Sequence, residues 1–183
     1  LVAVEADLGN RQAAEAALAE YERLNEMGFR DLPADSFGRG MLREFGAFGL
    51  SPLARYAIPV AAGDYATVRE KARASLQRSE AVKPADSQQE LAKLRGLVRT
   101  YAVLADASYN LKDYAAAGRE VRLAIESRRK LPKLTLQDEL DASDELILAA
   151  MIAARLERYS DAQQIIEPVL RFHRGLLARG NDD

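Results

Sequence analysis

His173, in Leu170-Arg171-Phe172-His173-Arg174, is the only histidine in the chain and the natural candidate for proton transfer, because imidazole titrates near neutrality. Such chemistry needs a second group. There is no cysteine to act as nucleophile and no second histidine to share a metal, and the flanking residues are arginines. His173 therefore reads as a surface or interface histidine.

Glu139, Asp141, Asp144 and Glu145 are spaced closely enough to suggest paired carboxylates or a cation site. On a helix they spread over more than one face: Asp144 and Glu145 are each neighbours of Asp141, while Glu139 turns away. No EF-hand loop accompanies them. The expectation is a solvated acidic face at a helix start, where it complements the helix dipole. Arg128, Arg129, Lys130 and Lys133 form the densest basic cluster, and they fall at a helix end, where cations complement the opposite pole. No aromatic residues are interleaved with them, so nucleic-acid stacking is not indicated. Gly38-Arg39-Gly40 lacks the following Gly-Lys-Ser/Thr of a phosphate loop and any preceding strand. No catalytic set, metal site or cofactor site emerges, and the chain reads as a non-enzyme.

The elements that carry these residues are helical throughout. Over 183 residues, 48% are apolar and 30% charged, the composition of a soluble globular protein, and the formal net charge of −2 gives no bulk attraction to nucleic acid. No apolar run approaches the ~20 residues that span a bilayer, so no membrane insertion is expected. The lack of cysteine suits cytoplasm and periplasm equally and leaves the compartment open. Leu1 begins inside an amphipathic stretch, with no initiator methionine, which reads as a fragment or a processed chain.

Two near-identical turns organise the C-terminal half: Leu111-Lys112-Asp113-Tyr114 and Leu156-Glu157-Arg158-Tyr159, each between long alanine-rich amphipathic segments. Weaker copies stand at Gly63-Asp64-Tyr65 and Gly9-Asn10-Arg11. Successive turns are 54, 49 and 45 residues apart. The spacing predicts four antiparallel helical hairpins, about 1–28, 51–80, 87–130 and 135–179, with a glycine-rich connector at 29–50, all in a single domain over 1–183. Ser51, Asp86 or Ser87 (with Glu90 completing a box with Ser87), and Thr135 are the expected helix caps, and Ser36 is expected to cap a short glycine-rich helix. Pro59 and Pro168 should distort the helices that contain them. The turn tyrosines should pack across each helix pair.

Tyr101, Leu104 and Ala105, the Asp113-Tyr114 turn, and then Ala117, Val121 and Ala124 follow one register; Leu146, Ala150, Ala153, Tyr159, Ala162, Ile166 and Val169 follow it again. This pattern resembles the tetratricopeptide repeat, with periods longer than its usual length of about 34. The resemblance implies an all-α, right-handed α-solenoid whose first helices line a concave groove that binds a peptide or protein. The groove-facing positions it implies include Arg99, Asp106, Tyr109 and Asn110 in the third hairpin, and Asp144, Met151 and Arg155 in the fourth. Ala102 and Asp106 stand where a carboxylate clamp of that family would need lysine and asparagine, so no such clamp is implied. The last helix, with Ile166, Leu170, Phe172 and Leu177, has no capping helix after it, which makes a homo-oligomer through that helix the alternative. A regulatory segment attached to a catalytic or membrane domain outside the chain is the remaining reading.

Overall fold

The computed structural model describes residues 9–29, 53–132 and 136–180. Among these residues there are seven helices and no strand: α1 (Arg11–Phe29), α2 (Leu53–Ala61), α3 (Tyr65–Ala81), α4 (Ser87–Asn110), α5 (Tyr114–Arg128), α6 (Leu136–Arg155) and α7 (Tyr159–Gly180). Each helix packs against the next, and α4 also touches α6. The glycine-rich segment with its Ser36 cap, the Leu1 stretch, and the expected caps Ser51 and Thr135 lie outside the described residues.

The turns show why these helices stop and restart where they do. Asp64, Asp113 and Arg158 each donate the backbone N–H to a carbonyl five residues back, on Pro59, Ser108 and Ala153, at 2.8–2.9 Å. The preceding residue in each case bonds three residues back, which together makes the same helix-ending motif three times. That motif needs one residue in the left-handed region, and Gly63 (φ 68°), Lys112 (φ 62°) and Glu157 (φ 60°) supply it. Gly9 (φ 74°) holds the corresponding place before α1. The next helix then starts on a side-chain cap: Asp64 accepts from Thr67 N, Asp113 from Ala116 N, and Asn10 from Ala13 N. At the fourth turn Arg158 cannot cap in this way, and it pairs instead with Asp161 in the first turn of α7.

A left-handed backbone costs a non-glycine residue about 1–2 kcal/mol, while glycine returns about 0.5–1 kcal/mol in lost chain entropy. Lys112→Gly is therefore expected to raise stability by up to about 1 kcal/mol, and Lys112→Ala to give no such gain. Urea midpoints compare the two; equal midpoints would contradict the strain argument.

At α4 the cap is one of the two expected residues, and only the box differs. The N-cap is Asp86, which accepts from Gln89 N at 2.8 Å, and Gln89 Oε1 in turn accepts from Ala85 N at 3.0 Å. The box sits one residue before the expected Ser87–Glu90 pair because aspartate is as strong a cap as serine and lies nearer the Pro84 break. Lys93 then donates to the Glu80 and Val82 carbonyls, tying the end of α3 to the side of α4. Tyr101 Oη donates to Glu80 Oε1 at 3.2 Å; burial, and then the neighbouring carboxylate, push its phenol above the usual range.

Two apolar clusters share α4. Tyr56, Val68, Ala72, Leu104 and Ala107 join α2, α3 and α4. Ala105, Ala117, Val121 and Ile152 join α4, α5 and α6. Alanine and glycine at these contacts let the helices approach closely: a Cβ on Gly118 of α5 would lie 3.6 Å from Ile152 on α6. The turn tyrosines do not all pack alike. Tyr65 and Tyr114 lie half-buried against these clusters, whereas Tyr159 is 67% exposed. Tyr65 packs against the cluster shared by α2, α3 and α4, and Tyr114 against that shared by α4, α5 and α6, with its ring 5.5 Å from that of Tyr109 on α4.

Candidate binding surface on α4 and α6

Arg99, Asp106 and Asn110 stand at i, i+7 and i+11 on α4, and Asp144, Met151 and Arg155 repeat those intervals on α6. Seven and eleven residues each return to nearly the same side of an α-helix, so each trio forms one stripe. All six residues are exposed, while Leu104, Ala105 and Ala107 on α4 and Ile152 and Ala153 on α6 are buried. The apolar period thus turns one polar stripe of each helix outward.

Tyr109 and Arg155 join the stripes. Arg155 Nε donates to Tyr109 Oη at 3.3 Å, and the Tyr109 ring lies 5.5 Å from that of Tyr114, tilted at 57°. The bond to Tyr109, helped by both phenols, holds the Arg155 guanidinium even more firmly protonated than usual. Arg155 uses only Nε in this way; its two Nη groups make no hydrogen bond or ion pair among the described residues. On α4, Asn110 Nδ2 donates to both the carbonyl and the carboxylate of Asp106, at 2.9 and 3.2 Å. Desolvation raises the Asp106 carboxyl above its ordinary range, and the Asn110 bond only partly opposes this. An acid without a nearby cation and a cation without an acid therefore lie on adjoining helices.

The structure thus brings Tyr109 to Arg155 and Asp106 to Asn110. It places Arg99, Asp144 and Met151 on the same stripes. Met151 is 43% exposed, an apolar spot within a polar surface.

The acidic and basic clusters come out differently from the sequence reading. Glu145 is not part of a solvated face: it is buried and accepts from Arg128, Nε to Oε2 at 2.9 Å and Nη2 to Oε1 at 2.5 Å. Their side chains are only 5% and 8% exposed. Arg128 stands at i+7 from Val121, so it falls on the buried stripe of α5 and cannot reach water as a helix-end cation should. Arg129 and Lys130 are exposed, and Lys133 lies outside the described residues. His173 Nε2 is buried with no hydrogen-bond partner, while its ring stands edge-on to Phe172 at 5.3 Å.

Among the described residues no group of three acids or histidines is placed to hold a metal ion, and no helix is long and apolar enough to cross a membrane. No family model, curated protein or solved structure matches the chain.

Proposed function

We propose that this chain is a non-catalytic binding module: a tetratricopeptide-like solenoid whose α4 and α6 line the concave face and take a peptide or a protein segment. The observation that carries this reading is the Arg155–Tyr109 bond, which makes the polar stripes of two helices from different hairpins into one surface. Contact between α4 and α6, with α5 packed against both, supports it. The chemistry of the surface suits a ligand that offers a carboxylate to Arg155, a donor to Asp106 or Asp144, and an apolar group to Met151.

Selection of peptides from a random displayed library against the chain tests this. Enriched peptides are expected to lose at least about tenfold in affinity when Arg99 and Arg155 are both changed to glutamate, since reversing a contacting charge costs more than 1.4 kcal/mol. Enriched peptides that bind the double variant as tightly as the parent would remove α4 and α6 as the binding surface.

A further inference from the structure

α7 repeats, position by position, the face through which α5 meets α6. The 45 residues between Tyr114 and Tyr159 carry Tyr114, Gly118, Val121, Ile125 and Arg128 onto Tyr159, Gln163, Ile166, Leu170 and His173. On α5 every one of these positions has a neighbour. Tyr114 and Ile125 pack against the cluster that includes Ile152 of α6, Val121 is part of it, Gly118 lies against Ile152, and Arg128 holds Glu145. One hairpin earlier, Tyr65 and Leu76 of α3 pack in the same way against a cluster containing Leu104 and Ala107 of α4. On α7, Tyr159 is 67% and Leu170 46% exposed. A face used twice inside the molecule is thus presented a third time without a described helix upon it.

The two earlier uses say what such a face accepts. α6 lies antiparallel to α5, because the late residue Arg128 meets the early residue Glu145 while the earlier Gly118 meets the later Ile152. The incoming helix is acidic in its first half and apolar seven residues on. Arg174 stands exposed where Arg129 stands on α5, and Arg171, exposed and 3.9 Å from Glu167, adds a second cation, while His173, in the place of Arg128, has its Nε2 buried. The C-terminal end of α7 therefore asks for the same acidic start. Gln163, in place of Gly118, asks for a small or hydrogen-bonding residue opposite it.

We propose that Tyr159, Gln163, Ile166 and Leu170 receive an amphipathic helix from another polypeptide, acidic in its first half and antiparallel to α7. A second copy does not supply this occupant. Among the described helices that open with acids, α4 and α6 are already packed between their own neighbours, and on α7 the first-turn acid, Asp161, is already paired with Arg158. This end face is separate from the α4–α6 surface and does not depend on its ligand.

A labelled peptide with the sequence of α6 itself, Leu136–Arg155, titrated with the full chain and followed by fluorescence anisotropy, is the test. Saturable binding is expected, weakened about tenfold or more by Leu170→Asp, by Tyr159→Ser, and by Glu145→Lys in the peptide. Arg155→Glu in the chain should leave it unchanged, which separates this face from the α4–α6 surface. Absence of saturation, or saturation that Leu170→Asp and Tyr159→Ser leave intact, overturns the proposal. A concentration-dependent dimer in light scattering that Leu170→Asp dissolves also overturns it, because a second copy would then be the occupant. If Leu170→Asp lowers helicity in circular dichroism, the Tyr159→Ser result decides, since that ring is the more exposed.

Discussion

Arg128→Leu is expected to lower the stability of the chain by about 3–5 kcal/mol, as measured by urea unfolding, because it strands a buried carboxylate. Glu145 is 5% exposed and both of its oxygens are bonded to the Arg128 guanidinium. Removing only the arginine leaves an acid that water reaches poorly and that has lost the cation bonded to both of its oxygens. The double variant Arg128→Leu with Glu145→Leu should recover most of the loss, since two apolar side chains leave no charge to solvate. Added salt should hardly change the single-variant result, because buried pairs are screened far less than exposed ones. Arg158→Leu provides the contrast: its pair with Asp161 is 60% and 43% exposed, so about 0–1 kcal/mol is at stake there. If Arg128→Leu costs no more than Arg158→Leu, or if the double variant is no better than the single, the ion pair does not hold the α5–α6 joint.

That pair also marks the limit of what could be read from the chain alone. The turns were legible because they are local: a left-handed residue followed by Asp or Asn announces itself within three positions, as at Gly63-Asp64 and Gly9-Asn10. Leu104, Ala105, Ala117, Val121 and Ala124 were legible as core because a helix returns its apolar residues every three or four positions, and all five are buried. Arg128 and Glu145 are 17 residues apart and meet only across two helices. Hydrophobic patterning assigns a charge to water unless its position is weighed above its type. The signal was nonetheless present, since Arg128 follows Val121, and Glu145 precedes Ile152, by seven residues, which puts each charge on a buried stripe. The exposure of Tyr159 was hidden for the opposite reason. Its local sequence matches that of Tyr114, and the difference lies in the distant residues that pack on the ring.

The joint at α4 should be as sensitive to lost volume as the α5–α6 joint is to lost charge. Leu104→Ala is expected to cost about 2–5 kcal/mol, towards the upper part of that range. Leu104 is 2% exposed, and its cluster includes Ala72 and Ala107, both at 0%. Alanines have no side chain to extend into a cavity, so closing it would require Tyr56, Val68 or a whole helix to move, and a site that cannot collapse pays the larger penalty. The loss should also spread. Leu104 belongs to the cluster of α2, α3 and α4, and the adjoining Ala105 to that of α4, α5 and α6. A helix shared by both transmits loosening to each side, whereas the Arg128 variant acts only at the later boundary. Native-state amide exchange separates the two: Leu104→Ala should quicken exchange in both α3 and α5, and Arg128→Leu chiefly in α6 and α7. Faster exchange in α3 alone after Leu104→Ala would mean that the clusters open independently and that α4 does not couple them.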